Sequence, residues 1–179
     1  MFDRILDPTG LSARPTGAAV AARRVPSLKG ARVGLLNNTK QNAAQLLAEI
    51  GKRLTERYGA VVTIQRTKGH VALPVEEPLL KEIAAVSDVV VTGVGDCGSC
   101  SASAAADGIL FERAGIPAAV ICSDAFEVTA RAMAEVHGDP DFEILLTPHP
   151  VAVLDPAQVA ARAAELAADV AARVSEAGR

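Results

Sequence analysis

The chain has 179 residues, half of them hydrophobic, enough to bury one substantial core without disulfides or a structural metal. Its formal charge of −3, with both signs mixed along its length, offers no basic stripe for nucleic acid or for an anionic membrane surface. Apolar runs stop short of the roughly 18 residues that span a bilayer, and the charged opening MFDRILDPTGLSARP has no signal-peptide stretch, so a cytoplasmic protein in a reducing compartment is expected.

Residues 1–29 hold Pro8, Pro15, Pro26, Gly10 and Gly17 without strand or helix periodicity, which reads as an irregular extension lying on the body or on a neighbouring subunit. Residues 30–179 read as an α/β domain. ARVGLLNN is a strand ending in polar residues, and QNAAQLLAEIGKRLTERYG spaces its apolar residues as a helix does and stops at Gly59. AVVTIQRT repeats the strand and VEEPLLKEIAAVS the helix, with Pro78 in the first turn where its missing N–H costs little. SDVVVTGVG is almost continuously apolar, as a strand buried on both faces of a parallel sheet is. A helix through SASAAADGILFERAG, strand IPAAVICS, helix AFEVTARAMAEVHG, strand FEILLTP and helix DPAQVAARAAELAADVAARVSEA follow. Strands alternating with helices predict a single-domain, doubly wound, five-stranded parallel sheet of flavodoxin-like order 2-1-3-4-5, with its switch point between the first and third strands.

Ligands of such a sheet collect beyond the carboxyl ends of its strands. Strand one ends in Asn37, Asn38, Lys40 and Asn42, whose amides and ammonium suit a small polar or anionic substrate as well as they suit ordinary loop capping. Strand three ends in Gly95, Asp96, Cys97, Gly98, Ser99, Cys100 and Ser101, strand four in Cys122 and Ser123, strand five in His149. The glycines allow a tight turn that brings Cys97 to a helix start, where unpaired N–H groups and the helix dipole favour a thiolate. Cys100, one turn on, can resolve an adduct of Cys97, and Asp96 or His149 can move the proton. Packing of two small residues, or a metal with Cys122 and His149 as further ligands, are the other readings of the pair; there is no second C-x-x-C and no paired histidines. Gly93, Gly95 and Gly98 spell G-x-G-x-x-G, but they follow the third strand and lack the acidic residue of a dinucleotide site, so no cofactor is expected. Of the other histidines, His70 and His137 have weaker claims, His137 because it suits a helix C-terminus.

GVGDCGSCSASAAADGILFERAGIPAAVICSDAF, the later TPHP and the upstream VGLLNNTKQNA together resemble the UGSC-motif family of (seleno)proteins, itself distantly similar to the protein B components of glycine, sarcosine and betaine reductases. The likeness runs from about Arg32 to Val151 and puts Cys97 in the selenocysteine position, with Gly98, Ser99 and Cys100 completing the motif. The family's usual Asp-Asn-x-Lys-x-Asn has Asn37 here in place of the Asp, and keeps Asn38, Lys40 and Asn42. The resemblance implies a redox-capable nucleophile and a reductase-like reaction on a small polar substrate with a partner reductase subunit, while the Pro-rich N-terminal arm and the alanine-faced last helix suit a homo-oligomer. A carrier or sensor subunit, and a cysteine-based lyase or racemase in which Cys122 supplies a second thiol, are the alternative expectations.

Overall fold

In the computed structural model, residues 21–178 are described. Five parallel strands lie in the order β2-β1-β3-β4-β5: β1 (Arg32–Asn37), β2 (Val61–Thr67), β3 (Val89–Gly95), β4 (Ala118–Ser123) and β5 (Leu145–Thr147). The helices are α1 (Ala43–Tyr58), α2 (Glu77–Val86), α3 (Gly98–Arg113), α4 (Glu127–Val136) and α5 (Pro156–Val174). This is the predicted flavodoxin-like order. Two boundaries differ from expectation: β5 is only three residues long, and α3 starts at Gly98, three residues before the alanine-rich run. The earlier start makes Cys97 the residue that caps the helix and puts Cys100 inside its first turn.

The apolar runs explain the layering. Every residue of β3 is buried, so the strand needs cover on both faces. Alternate residues supply it: Val33, Leu35, Val89 and Val91 pack with Leu46, Ile50 and Leu54 of α1 and Val159, Leu166 and Val170 of α5. On the other face Leu36 and Val90 meet Ile83 of α2, while Val120 meets Ile109 of α3 and Ala130 of α4. Each such branched side chain contributes about 1.5–3 kcal/mol on burial. Helix α3 approaches the sheet closely because its residues are small; a side chain at Gly108 would stand 2.2 Å from Val120 Cγ2.

The amino edge of the sheet is closed by Glu112. Its buried carboxylate accepts from Ala22 N, Ala118 N, Arg24 Nη1 and Arg173 Nη2, and Val25 bridges to Ser175. The start of the described chain is thereby held to the end of α5, while residues 1–20 of the expected extension lie outside the described residues. No helix among the described residues is long and apolar enough to cross a membrane.

Candidate active site

The carboxyl edge gathers the chemistry, beginning where β3 turns into α3. A side chain at Gly95 would lie 2.5 Å from Cys122 Sγ and 2.7 Å from Ser101 Cα, so only glycine lets the strand pass this close to α3. The chain then opens into an extended Cys97, whose sulfur accepts the Cys100 N–H at 3.4 Å. The two cysteines are joined as a disulfide, their Cα atoms 5.3 Å apart. Cys97 is half-buried and beside the exposed Ser99, whose hydroxyl is 3.8 Å from the sulfur; Cys100 is fully buried and its sulfur accepts from Asp96 N at 3.3 Å.

Asp96 does not cap the helix. It points the other way and holds the loop after β5: its Oδ2 accepts from Val151 N at 3.1 Å and Ala152 N at 2.9 Å, and its Oδ1 lies 2.9 Å from His149 Nδ1. Burial pushes this carboxyl up, but the N–H groups of Ala152 and Val151, the Ser123 hydroxyl and His149 together outweigh it and hold Asp96 below its ordinary value. Facing an ionised carboxylate, Nδ1 must carry the ring hydrogen, which leaves Nε2 as the nitrogen without a partner among the described residues. The buried Ser123 hydroxyl lies 3.2 Å from both Gly95 O and His149 Nδ1 and steadies the ring from beneath. His149 is further fixed by its own N–H to Asp124 Oδ1 and by the Phe126 ring, edge-on at 5.4 Å, yet its side chain stays 38 % exposed. A held imidazole with one open nitrogen is the arrangement of a group that moves protons.

The residues after β1 divide. Asn38 is fully buried and its amide bridges to Val94, donating to the carbonyl at 2.9 Å and accepting from the N–H at 3.0 Å, so it joins the ends of β1 and β3. Asn37 donates to Thr67 Oγ1, and Asn42 donates to Val151 O and Leu154 O, tying the start of α1 to the loop that Asp96 holds. These three amides are committed within the protein; Lys40, half-buried, is the one residue of the predicted set here whose side chain has no partner among the described residues. Ser101 is buried against Cys122. Cys122 itself is fully buried, and burial pushes its thiol up to about 12. Among the described residues no three His, Cys, Asp or Glu side chains come together as a metal-ligand set.

One neighbouring cluster escaped the sequence reading. Lys68, immediately after β2, is buried with its ammonium on Asp107 Oδ2 at 2.6 Å, Ser103 Oγ at 2.6 Å and Leu73 O at 2.8 Å. Asp107 Oδ1 accepts from Val75 N, which pins the β2–α2 loop to α3. Burial drives the Asp107 carboxyl up to about 6, against the attraction of Lys68. The available signal was a lone acid inside the alanine run SASAAADG, where a buried charge requires a partner from elsewhere.

The UGSC family model matches residues 4–176 of the chain. No curated protein matches the chain.

Proposed function

We propose, from the premise that the chain belongs to the UGSC family, that it is a thiol-dependent, reductase-like enzyme with Cys97 as nucleophile and Cys100 as resolving thiol. The observation that carries the reading is the capping position of Cys97, with its sulfur on the Cys100 N–H at the positive end of α3. In the dithiol state the Cys97 thiolate attacks an electrophilic carbon; the carbon–sulfur bond forms as the carbon–leaving-group bond breaks, and the leaving group departs with the electron pair. Cys100 then attacks Cys97 Sγ. The disulfide forms, the carbon leaves with the bonding pair and takes up a proton, and the substrate has gained two electrons that the dithiol has lost. An external dithiol must restore the pair.

His149 Nε2, with Asp96 behind it, delivers protons to the departing groups, and Ser123 acts through His149 and so positions it. The free ammonium in the predicted substrate loop is that of Lys40, which suits an anionic part of a small polar substrate. The reaction class is that of the protein B components to which the sequence bears its distant resemblance, and a cytoplasmic homo-oligomer or a complex with a reductase subunit fits the same reading. A carrier subunit would use the same disulfide. The two-thiol racemase has little support, since Cys122 is buried and its thiol pushed up to about 12.

Alkylation of the reduced protein by iodoacetamide at pH 7, read by peptide mass, tests the division of labour. Cys97 takes the label first, C100S retains that reactivity, and C97S loses it. If C97S and wild type label alike, the nucleophile is not Cys97. A metabolite adduct trapped on Cys97 in C100S separates an enzyme from a carrier, which forms only mixed disulfides.

A further inference from the structure

Three glycines punctuate the turn that carries Cys97, and geometry accounts for two. Gly93 has φ 153° and a side chain there would stand 2.8 Å from Ile121 O; Gly95 is walled in by Cys122 and Ser101. Gly98 is different. It is the first residue of α3, its φ lies outside the left-handed region, and a side chain built on it would meet no atom within 4 Å other than those of its chain neighbours and its own helix turn. Alanine would fit there and would favour the helix. Neither strain nor crowding therefore requires a glycine.

What lies around that space does suggest a use. Gly98 is half-buried, between the half-buried Cys97 and the exposed Ser99, whose side chains come within 3.8 Å of each other. A methyl group on Gly98 would occupy open space one residue along the chain from the reactive cysteine.

We infer that Gly98 is a specificity-determining residue: the space of its missing side chain admits the substituent borne by the carbon that Cys97 attacks. The substrate class is an electrophile substituted at its reacting carbon, carrying a group of methyl size or larger besides the leaving group. The bond changes are those given above, with carbon–sulfur formation and departure of the leaving group with its electron pair. The inference rests on Cys97 being the nucleophile.

Two alkylating reagents that differ by one methyl on the reacting carbon, bromoacetamide and 2-bromopropionamide, provide the test. They are compared on reduced C100S and C100S/G98A protein, with the label located at Cys97 by peptide mass. In G98A the bromoacetamide rate stays within about threefold, while the preference for it over 2-bromopropionamide grows by about tenfold or more, the scale of one methyl group in a shaped site. The thermal midpoint is equal or higher. An unchanged preference, or equal slowing of both reagents, overturns the inference. Failure of the underlying reading shows separately, as C100S protein whose Cys97 reacts no faster than glutathione at the same pH.

Discussion

Two buried carboxylates, Asp96 just before α3 and Asp107 within it, behave oppositely. Asp107 meets Lys68 in a closed cluster, where every hydrogen of the ammonium has an internal acceptor and burial drives the carboxyl up to about 6. Asp96 is held below its ordinary value by backbone N–H groups, Ser123 and His149, and its partner His149 ends in a nitrogen turned away from all of them. A polar cluster with no free valence can only hold structure together. One that ends in a free valence at a half-exposed ring can act on something outside.

The largest effect expected from breaking this contrast is in the closed cluster. K68M leaves Asp107 buried without its counter-charge and costs about 3–5 kcal/mol in urea unfolding at pH 7, whereas K68M/D107L, which removes both charges, stays near wild type or rises above it. Equal losses in the single and double variants would mean that Lys68 and Asp107 act by packing alone. Next in size is a pH effect with a definite sign. A carboxyl whose folded value is raised above its ordinary 3.8 binds its proton more tightly when folded, so its contribution is present below that value and is lost as pH rises through about 6. The stability of wild type relative to K68M/D107L therefore falls by on the order of 1–3 kcal/mol between pH 4 and pH 7.5. A flat difference contradicts the burial argument.

The same contrast explains what the sequence could disclose. Hydrophobic periodicity and the unbroken apolar run of β3 were enough for the strand order, because a strand buried on both faces can only be central. The cysteine turn was legible from its glycines and the C-x-x-C spacing. Partnerships over long separations were not: Asn38 looks like a donor for a ligand until Val94, 56 residues away, takes both ends of its amide. Ser123 and Asp96 likewise gain their roles from His149, which a short β5 and the following loop bring across the sheet edge. Asp107 could be flagged as a buried acid, but nothing local pointed to Lys68, 39 residues before it. The start of α3 was misplaced because Gly98 and Ser99 are weak helix formers, and the cap supplied by Cys97 is a side-chain contact that propensity does not register.

In the open cluster, D96N should cost about 1–3 kcal/mol, since three hydrogen bonds to a charged acceptor are weakened. The carboxylate's depressed value means that its own contribution is present above the ordinary 3.8 and disappears as acid titrates it, so the D96N deficit shrinks below pH 4. Its more telling readout is spectroscopic. An amide facing His149 can donate to Nδ1, so nitrogen NMR of the ring should show the hydrogen moving from Nδ1 to Nε2. A ring that keeps its hydrogen on Nδ1 in D96N would show that Asp96 does not set the tautomer.

The smallest stability change belongs to the residue with the most to do. H149A removes a half-exposed ring and should shift unfolding by about 0.5 kcal/mol or less, as surface substitutions do. Its effect appears in the pH profile of Cys97 alkylation in reduced C100S protein. A base held beside the turn can take the proton of the Cys97 thiol, so the alkylation rate falls in H149A and its pH profile moves with it. A profile that does not change would place His149 out of electrostatic reach of Cys97, and the open cluster would then be as purely structural as the closed one.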